Sequence, residues 1–190
     1  MPEFVRLIPE GDTRERLVCT TCGHIDYENP KVVVGSVIAH QDTVLLCRRA
    51  IAPRRGYWTL PAGFLELGET AEEGAAREAW EEARARIAFD GLLGVFSISS
   101  IGQIQLIYRA RFAGPSSVSF AAGPETAEVR LFGWDDIPWN DLAFPSVHWA
   151  LAAWRAGKAA SLGQPVANPA EDPRGEGRIA GTAILQGGGL

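Results

Sequence analysis

Six residues within Gly63–Ala85 (GFLELGETAEEGAAREAWEEARA) are spaced as phosphate chemistry assisted by a metal would need them. Glu69 follows Gly63 after five intervening residues, Arg77-Glu78 after seven more, and Glu81-Glu82 close behind. On a helix turning about 100° per residue, Glu78, Glu81 and Glu82 share one face. Three close carboxylates repel, so they either raise one another's pKa or bind a cation. Hard oxygen donors at this density suit Mg²⁺ or Mn²⁺, with water and substrate phosphate completing the shell. Such a metal polarises a phosphoryl oxygen and activates an attacking water. EAWEE alone would read as an ordinary solvated helix face. Gly63, Glu69 and Arg77 stand at fixed offsets ahead of it. Arg77 stands four residues from both Glu73 and Glu81, within pairing distance of each on a helix.

The elements that must position these groups follow from the flanking pattern. Thr70 with Glu73 three residues on is a capping-box signature, so a helix begins near Ala71. Ala76, Ala79, Trp80, Ala83 and Ile87 fall roughly opposite the carboxylates, a side suited to packing on a sheet. Lys31–Ala39 and Thr43–Arg49 are β-rich runs joined by the polar turn His40-Gln41-Asp42. Ala52–Ala62 reads as a loop rich in Pro, Gly and aromatics leading into Gly63. Ile87–Ser97, Gln103–Phe112 and Val129–Trp134 read as further strands, and Pro145–Arg155 as a second helix. The expected fold is α/β (α+β), a sandwich around a mixed β-sheet. Residues 1–30 read as a polar, loop-like extension, 31–156 as the main domain, and 157–190 as a loosely attached Gly/Pro-rich tail. Within the tail, Ile179–Leu185 is a candidate docking segment.

Composition narrows the function. A formal charge of −5 argues against a general nucleic-acid binder. No apolar run approaches 18 residues, so no membrane partner or export signal is expected and the location reads as cytoplasmic. Three cysteines give no disulfide framework.

The spacing from Gly63 resembles the Nudix box, G-x5-E-x7-R-E-U-x-E-E-x-G-U with U a bulky aliphatic. From Gly11 to about Trp154 the chain also resembles a Nudix subgroup that includes FAD and ADP-ribose pyrophosphatases. That likeness rests on Cys19-x-x-Cys22-Gly23, Tyr27-Glu28-Asn29-Pro30-Lys31, VLLCRR (Val44–Arg49), YWTLPAGFLELGET (Tyr57–Thr70) and GPETAEVRLF (Gly123–Phe132). There are departures. The box wants Gly where Arg84 stands and bulky aliphatics at Ala79 and Ala85. Arg in a left-handed conformation costs on the order of 1 kcal/mol, so the helix is expected to run on to about Arg86. The upstream Cys pair of the subgroup's four-Cys zinc ribbon is missing. Cys19 and Cys22 therefore offer two of the four ligands that structural Zn²⁺ wants, with His24 a poor third. Ser99 stands where relatives often carry a Pro in a substrate loop.

The resemblance implies a Nudix-type α/β/α sandwich and hydrolysis of the pyrophosphate bond of a nucleoside diphosphate linked to another moiety. FAD and ADP-ribose lead as substrates, FAD slightly ahead on the subgroup match, with AMP as one product. Glu78, Glu81 and Glu82 would hold the metal, helped by the Gly63 carbonyl, with Arg77 orienting them. The general base is left open among Glu78, Glu81, Glu125 and Glu128. Arg48 could neutralise a substrate phosphate, Tyr57 and Phe64 could stack on a ring, and Gln103 could bond a base or ribose. Trp58 reads as core and His148 as structural. The SQPWPFP-type stretch of NADH pyrophosphatases is absent, since Phe96–Ile101 reads FSISSI. The coenzyme A pyrophosphatase pattern is also absent. Two alternatives remain: a nucleoside triphosphate pyrophosphohydrolase, and a non-catalytic module sensing ADP-ribose or NAD. Relatives commonly form homodimers, and Lys31–Arg49 could contribute to one.

Overall fold

Val33, Val34, Val37 and Ile38 are buried on both faces of one strand, and that strand is the centre of the protein's larger sheet. The computed structural model describes residues 2–114, 118–157 and 163–169. The chain divides into two compact units, Met1–Pro30 and Lys31–Leu190.

The first unit is not the loop expected. It holds a three-stranded antiparallel sheet of β1 (Phe4–Leu7), β2 (Arg16–Cys19) and β3 (Ile25–Asp26). Their shortness hid the strands: FVRL and RLVC are four-residue, mostly apolar runs without period-2 alternation, and β1 is exposed at every position. The β2–β3 turn is a tight knuckle in which Gly23 N–H donates to the Cys19 carbonyl at 2.9 Å. Gly23 takes φ 74°, a conformation that glycine adopts without a Cβ penalty.

The second unit is built on β4 (Lys31–His40), β5 (Thr43–Arg49), β6 (Trp58–Thr59), β7 (Ala62–Phe64), β8 (Ile87–Ile98), β9 (Gln103–Phe112) and β10 (Thr126–Gly133). The sheet order is β10-β5-β4-β9-β8, with β6 paired to β5 and β7 to β4. β4 and β9 run parallel and the other pairs antiparallel, so the sheet is mixed. The helix α1 (Ala71–Ala83) contacts β4 and β7, whereas α2 (Pro145–Ala156) contacts β8 and β4. Alternation along the strands separates the two layers. Val37, Val44 and Leu46 join Trp58, Phe132, Leu151 and Trp154 in one core cluster. Ile38, Leu45 and Cys47 join Ala79, Ala83 and Phe112 in another. Each fully buried Leu, Val or Ile contributes roughly 1.5–3 kcal/mol.

Several boundaries differ from the sequence reading. The loop expected over Ala52–Ala62 contains β6 and the start of β7, strands too short to leave a pattern. Part of the tail is attached: Val166 bridges to Gly94 in parallel, and the Asn168 side chain exchanges two 2.8 Å hydrogen bonds with the Ser97 backbone. Ile179–Leu185 lies outside the described residues. Among those residues no helix is long and apolar enough to cross a membrane.

Candidate active site

Residues 71–83 become helical under two local instructions. Thr70 Oγ1 accepts from Glu73 N–H at 3.2 Å while Glu73 Oε2 accepts from Thr70 N–H at 2.8 Å, the reciprocal capping box. Ala75, Ala79 and Ala83, each fully buried and four apart, then bring the backbone close to the sheet. That close approach decides which way the carboxylates face. Setting Glu78 at zero, the three alanines centre near 100° and Trp80 near 200°. Glu78 and Glu82 therefore lie at the edge of the buried side, each 8 % exposed, and Trp80 faces outward, 43 % exposed. This corrects the expectation that Trp80 would pack inward.

The helix also ends sooner than expected. Arg84 adopts φ 49° as a left-handed cap, and its N–H donates to the carbonyls of Ala79 and Trp80. Behind it, Ala121 N–H donates to Ala83 O at 2.9 Å and Gly123 N–H to Glu82 O at 3.0 Å. These bonds satisfy carbonyls that a longer helix would have used, which outweighs the backbone strain at Arg84.

Arg77 organises the acidic cluster. Its Nε and one terminal nitrogen clamp both Glu69 oxygens at 3.1 and 2.8 Å. That same terminal nitrogen also donates to the Phe64 carbonyl at 3.0 Å, while the other donates to Glu78 at 2.7 Å and Glu81 at 3.1 Å. The expected Glu73–Arg77 pair does not form, because Glu73 is spent on the cap. The Arg77 guanidinium beside Glu69 holds that carboxyl down to about 2. Bidentate pairing fixes the guanidinium plane, so Arg77 is a rigid strut under Glu78 and Glu81.

The remaining walls come from β7. Ala62 N–H donates to Glu82 Oε2 at 3.1 Å. A Cβ on Gly63 would run into the Glu78 carboxylate, so glycine here leaves that carboxylate its position. Burial is the main cause that raises Glu78, opposed by Arg77. Burial likewise raises Glu82 to about 7, opposed by the Ala62 N–H. The nearby charge of Glu125 raises both further, and that of Arg49 opposes the shift at Glu82.

The other candidates divide. Glu125 is exposed and reaches Glu78 and Glu82 through its charge; Glu128 faces Arg48 at 3.7 Å, both side chains about half exposed. Arg48 Nε also donates to the Gly56 carbonyl at 2.9 Å. Phe64 is 48 % exposed under Lys31, and Tyr57 lies under Arg54, each cation 5.4 Å from its ring centroid. Gln103 accepts from Gln105 at 3.4 Å. Trp58 is buried edge-to-face against Phe132, and His148 stacks near Trp139. Sequence reasoning did not single out Arg49, whose charge opposes the rise at Glu82 and whose Nε donates to the Pro53 carbonyl at 2.8 Å. No spacing rule marks such a loop contact.

Among the described residues, no three His, Cys, Asp or Glu side chains converge as a ready metal cage. At α1 the donor chemistry nevertheless fits a divalent cation. Glu78 and Glu82 are hard oxygen donors held in burial that penalises their ionised form, which is the condition a cation relieves. At the knuckle, Cys19 is buried, Cys22 is exposed, and backbone N–H groups of Cys22 and Thr21 pull the Cys19 thiol below its usual range. No third ligand joins them among the described residues, so the tetrahedral set of zinc is incomplete there.

Sheet, helix and acidic cluster together define an α/β sandwich whose acidic helix α1 packs on the mixed sheet. The chain belongs to the Nudix hydrolase family: the NUDIX domain model matches residues 29–154 and a Nudix N-terminal model matches residues 3–28. A NUDIX hydrolase from Nitrosomonas europaea is 44 % identical, with a TM-score of 0.81 over 88 % of this chain and 94 % of that one. An ADP-ribose pyrophosphatase of Methanocaldococcus jannaschii is 41 % identical over 59 % of this chain and 67 % of its own length. A MutT-like protein of Streptomyces ambofaciens is 42 % identical over 43 % of this chain, which spans about half (51 %) of that relative.

Proposed function

We propose that the protein hydrolyses the pyrophosphate bond of a nucleoside diphosphate joined to a second group, with ADP-ribose its first substrate. The observation that carries this reading is the pair of buried carboxylates, Glu78 and Glu82, raised by burial beside Gly63 and Ala62. Such a pair is costly without a cation and favourable with one. The 41 % identity to an ADP-ribose pyrophosphatase supports the substrate class. FAD shares the same anhydride and is the second substrate, since Tyr57–Thr70 and Gly123–Phe132 resemble a subgroup that includes FAD pyrophosphatases.

Glu78, Glu82 and Glu81 would hold Mg²⁺ or Mn²⁺, with the Gly63 carbonyl beside them. When bound, the ion supplies Lewis-acid polarisation of the phosphoryl oxygens and lowers the pKa of water. The chain's own residues do the rest. Arg77, locked by Glu69, sets the direction of Glu78 and Glu81. Gly63 admits the Glu78 carboxylate, and Ala62 N–H fixes one oxygen of Glu82. Glu125, whose charge reaches both buried carboxylates, takes the proton of the attacking water, a role worth about 10²–10⁴-fold. Water adds across the P–O–P bond, leaving AMP and a phosphorylated second group. Chromatographic product analysis with ADP-ribose and FAD, with Mg²⁺, Mn²⁺ or EDTA, tests the reading. AMP that depends on the ion and disappears in Glu82→Gln supports it. Saturable ADP-ribose binding without turnover would replace it with the sensor reading.

A further inference from the structure

The outward side of α1 carries a second cluster that hydrolysis at the acidic face does not use. Trp80 is 43 % exposed there, and the guanidiniums of Arg84 and Arg86 lie 5.5 and 5.2 Å from its ring centroid. Neither arginine has a carboxylate partner among the described residues. With Ala113 and the Ser119–Ala121 segment, these side chains line a cavity of about 370 Å³, the size range of small-ligand sites. Its walls are tied down: Ala113 N–H donates to Arg86 O at 2.8 Å and Ala121 N–H to Ala83 O at 2.9 Å. Just beyond, a Cβ on Gly123 would strike the Glu81 carbonyl oxygen, so the segment lies tight against the helix.

Arg84 adds an independent observation. At φ 49° a glycine would sit without strain, whereas arginine costs on the order of 1 kcal/mol. The strained conformation directs the side chain back along the helix, where a terminal nitrogen donates to the Trp80 carbonyl at 3.3 Å. A guanidinium laid on an indole loses little further freedom on binding and keeps its N–H fork for an oxyanion. Two such forks beside the apolar surfaces of Trp80 and Phe120 match an anion attached to a flat ring.

We propose that this cavity binds a small ligand joining a phosphate to a planar heteroaromatic ring, the chemistry of a nucleoside monophosphate, at a site separate from the acidic face. Calorimetric titration in EDTA, with AMP, inorganic phosphate and adenosine as separate probes, tests it on three proteins: wild type, Arg84→Gly/Arg86→Gln and Glu82→Gln. AMP is expected to bind saturably to wild type and equally to Glu82→Gln. The double variant should weaken AMP at least about tenfold, and each fragment should bind at least about tenfold more weakly than AMP. Circular dichroism confirms folding of the double variant, and Arg86→Gln alone gives a milder second readout. Four results would overturn the proposal: no saturable AMP binding to wild type, binding indifferent to both arginines, binding lost in Glu82→Gln, or phosphate binding as tightly as AMP. Turnover of ADP-ribose by the double variant with Mg²⁺ should stay within about twofold of wild type, so this site can fail without the hydrolase reading failing.

Discussion

Replacing Glu82 with glutamine should stabilise the metal-free protein while removing its turnover, and the size of the gain follows from burial. Glu82 is 8 % exposed and its carboxyl is raised from 4.5 to about 7, chiefly by desolvation. At about 1.4 kcal/mol per pH unit, that difference is worth roughly 3 kcal/mol. The sign follows from proton binding. Between pH 4.5 and 7 the folded protein keeps the Glu82 proton and the unfolded chain has released it, so stability falls as pH rises. The contribution is fully present below about pH 4.5 and gone above about pH 7. Glutamine is neutral throughout and can still accept from Ala62 N–H. Urea unfolding in EDTA should therefore show Glu82→Gln matching wild type near pH 4.5 and exceeding it by about 3 kcal/mol at pH 8, some 6–12 °C in Tm. Added Mg²⁺ should erase most of that gap by stabilising the ionised wild type. A variant no more stable than wild type at pH 8, or a gap independent of pH, would refute the burial argument.

Three further outcomes follow from the same geometry. Gly63→Ala should fold yet lose on the order of 10²-fold in kcat, because its Cβ displaces the Glu78 carboxylate; steady-state kinetics check this. Glu125→Gln should lower kcat about 10²–10⁴-fold with metal affinity retained, and Glu128→Gln, tied to Arg48, should change it less than about threefold; Mn²⁺ titration beside kinetics separates the two. Arg84→Gly should raise stability by about 1 kcal/mol by relieving the left-handed arginine, read as a Tm increase of about 2–4 °C.

The parts legible in the sequence were those written in local periodicity. Thr70 and Glu73 announced the start of α1, and the apolar runs marked β4, β5, β8, β9, β10 and α2 within a residue or a few. The acidic cluster was legible because its spacing is itself the helix repeat. What sequence reasoning missed depends on contacts between distant segments. The stop at Arg84 is settled by Ala121 and Gly123 binding the last carbonyls of the helix, and that outweighs a conformational preference of about 1 kcal/mol. Glu69 rather than Glu73 holds Arg77 because the cap had already claimed Glu73. Arg49 reaches Glu82 only as a charge placed by a loop carbonyl. β1–β3 were too short to leave a period, and Val166–Asn168 found a sheet edge that composition cannot reveal.

The proposed site on α1 is one that takes a divalent cation and a nucleoside diphosphate anhydride. Its most direct test is the chromatographic appearance of AMP from ADP-ribose, measured for wild type and Glu82→Gln with Mg²⁺ and with EDTA. AMP and ribose 5-phosphate are expected only from wild type with the ion. AMP formed equally in EDTA, or by a folded Glu82→Gln variant at the wild-type rate, would contradict it.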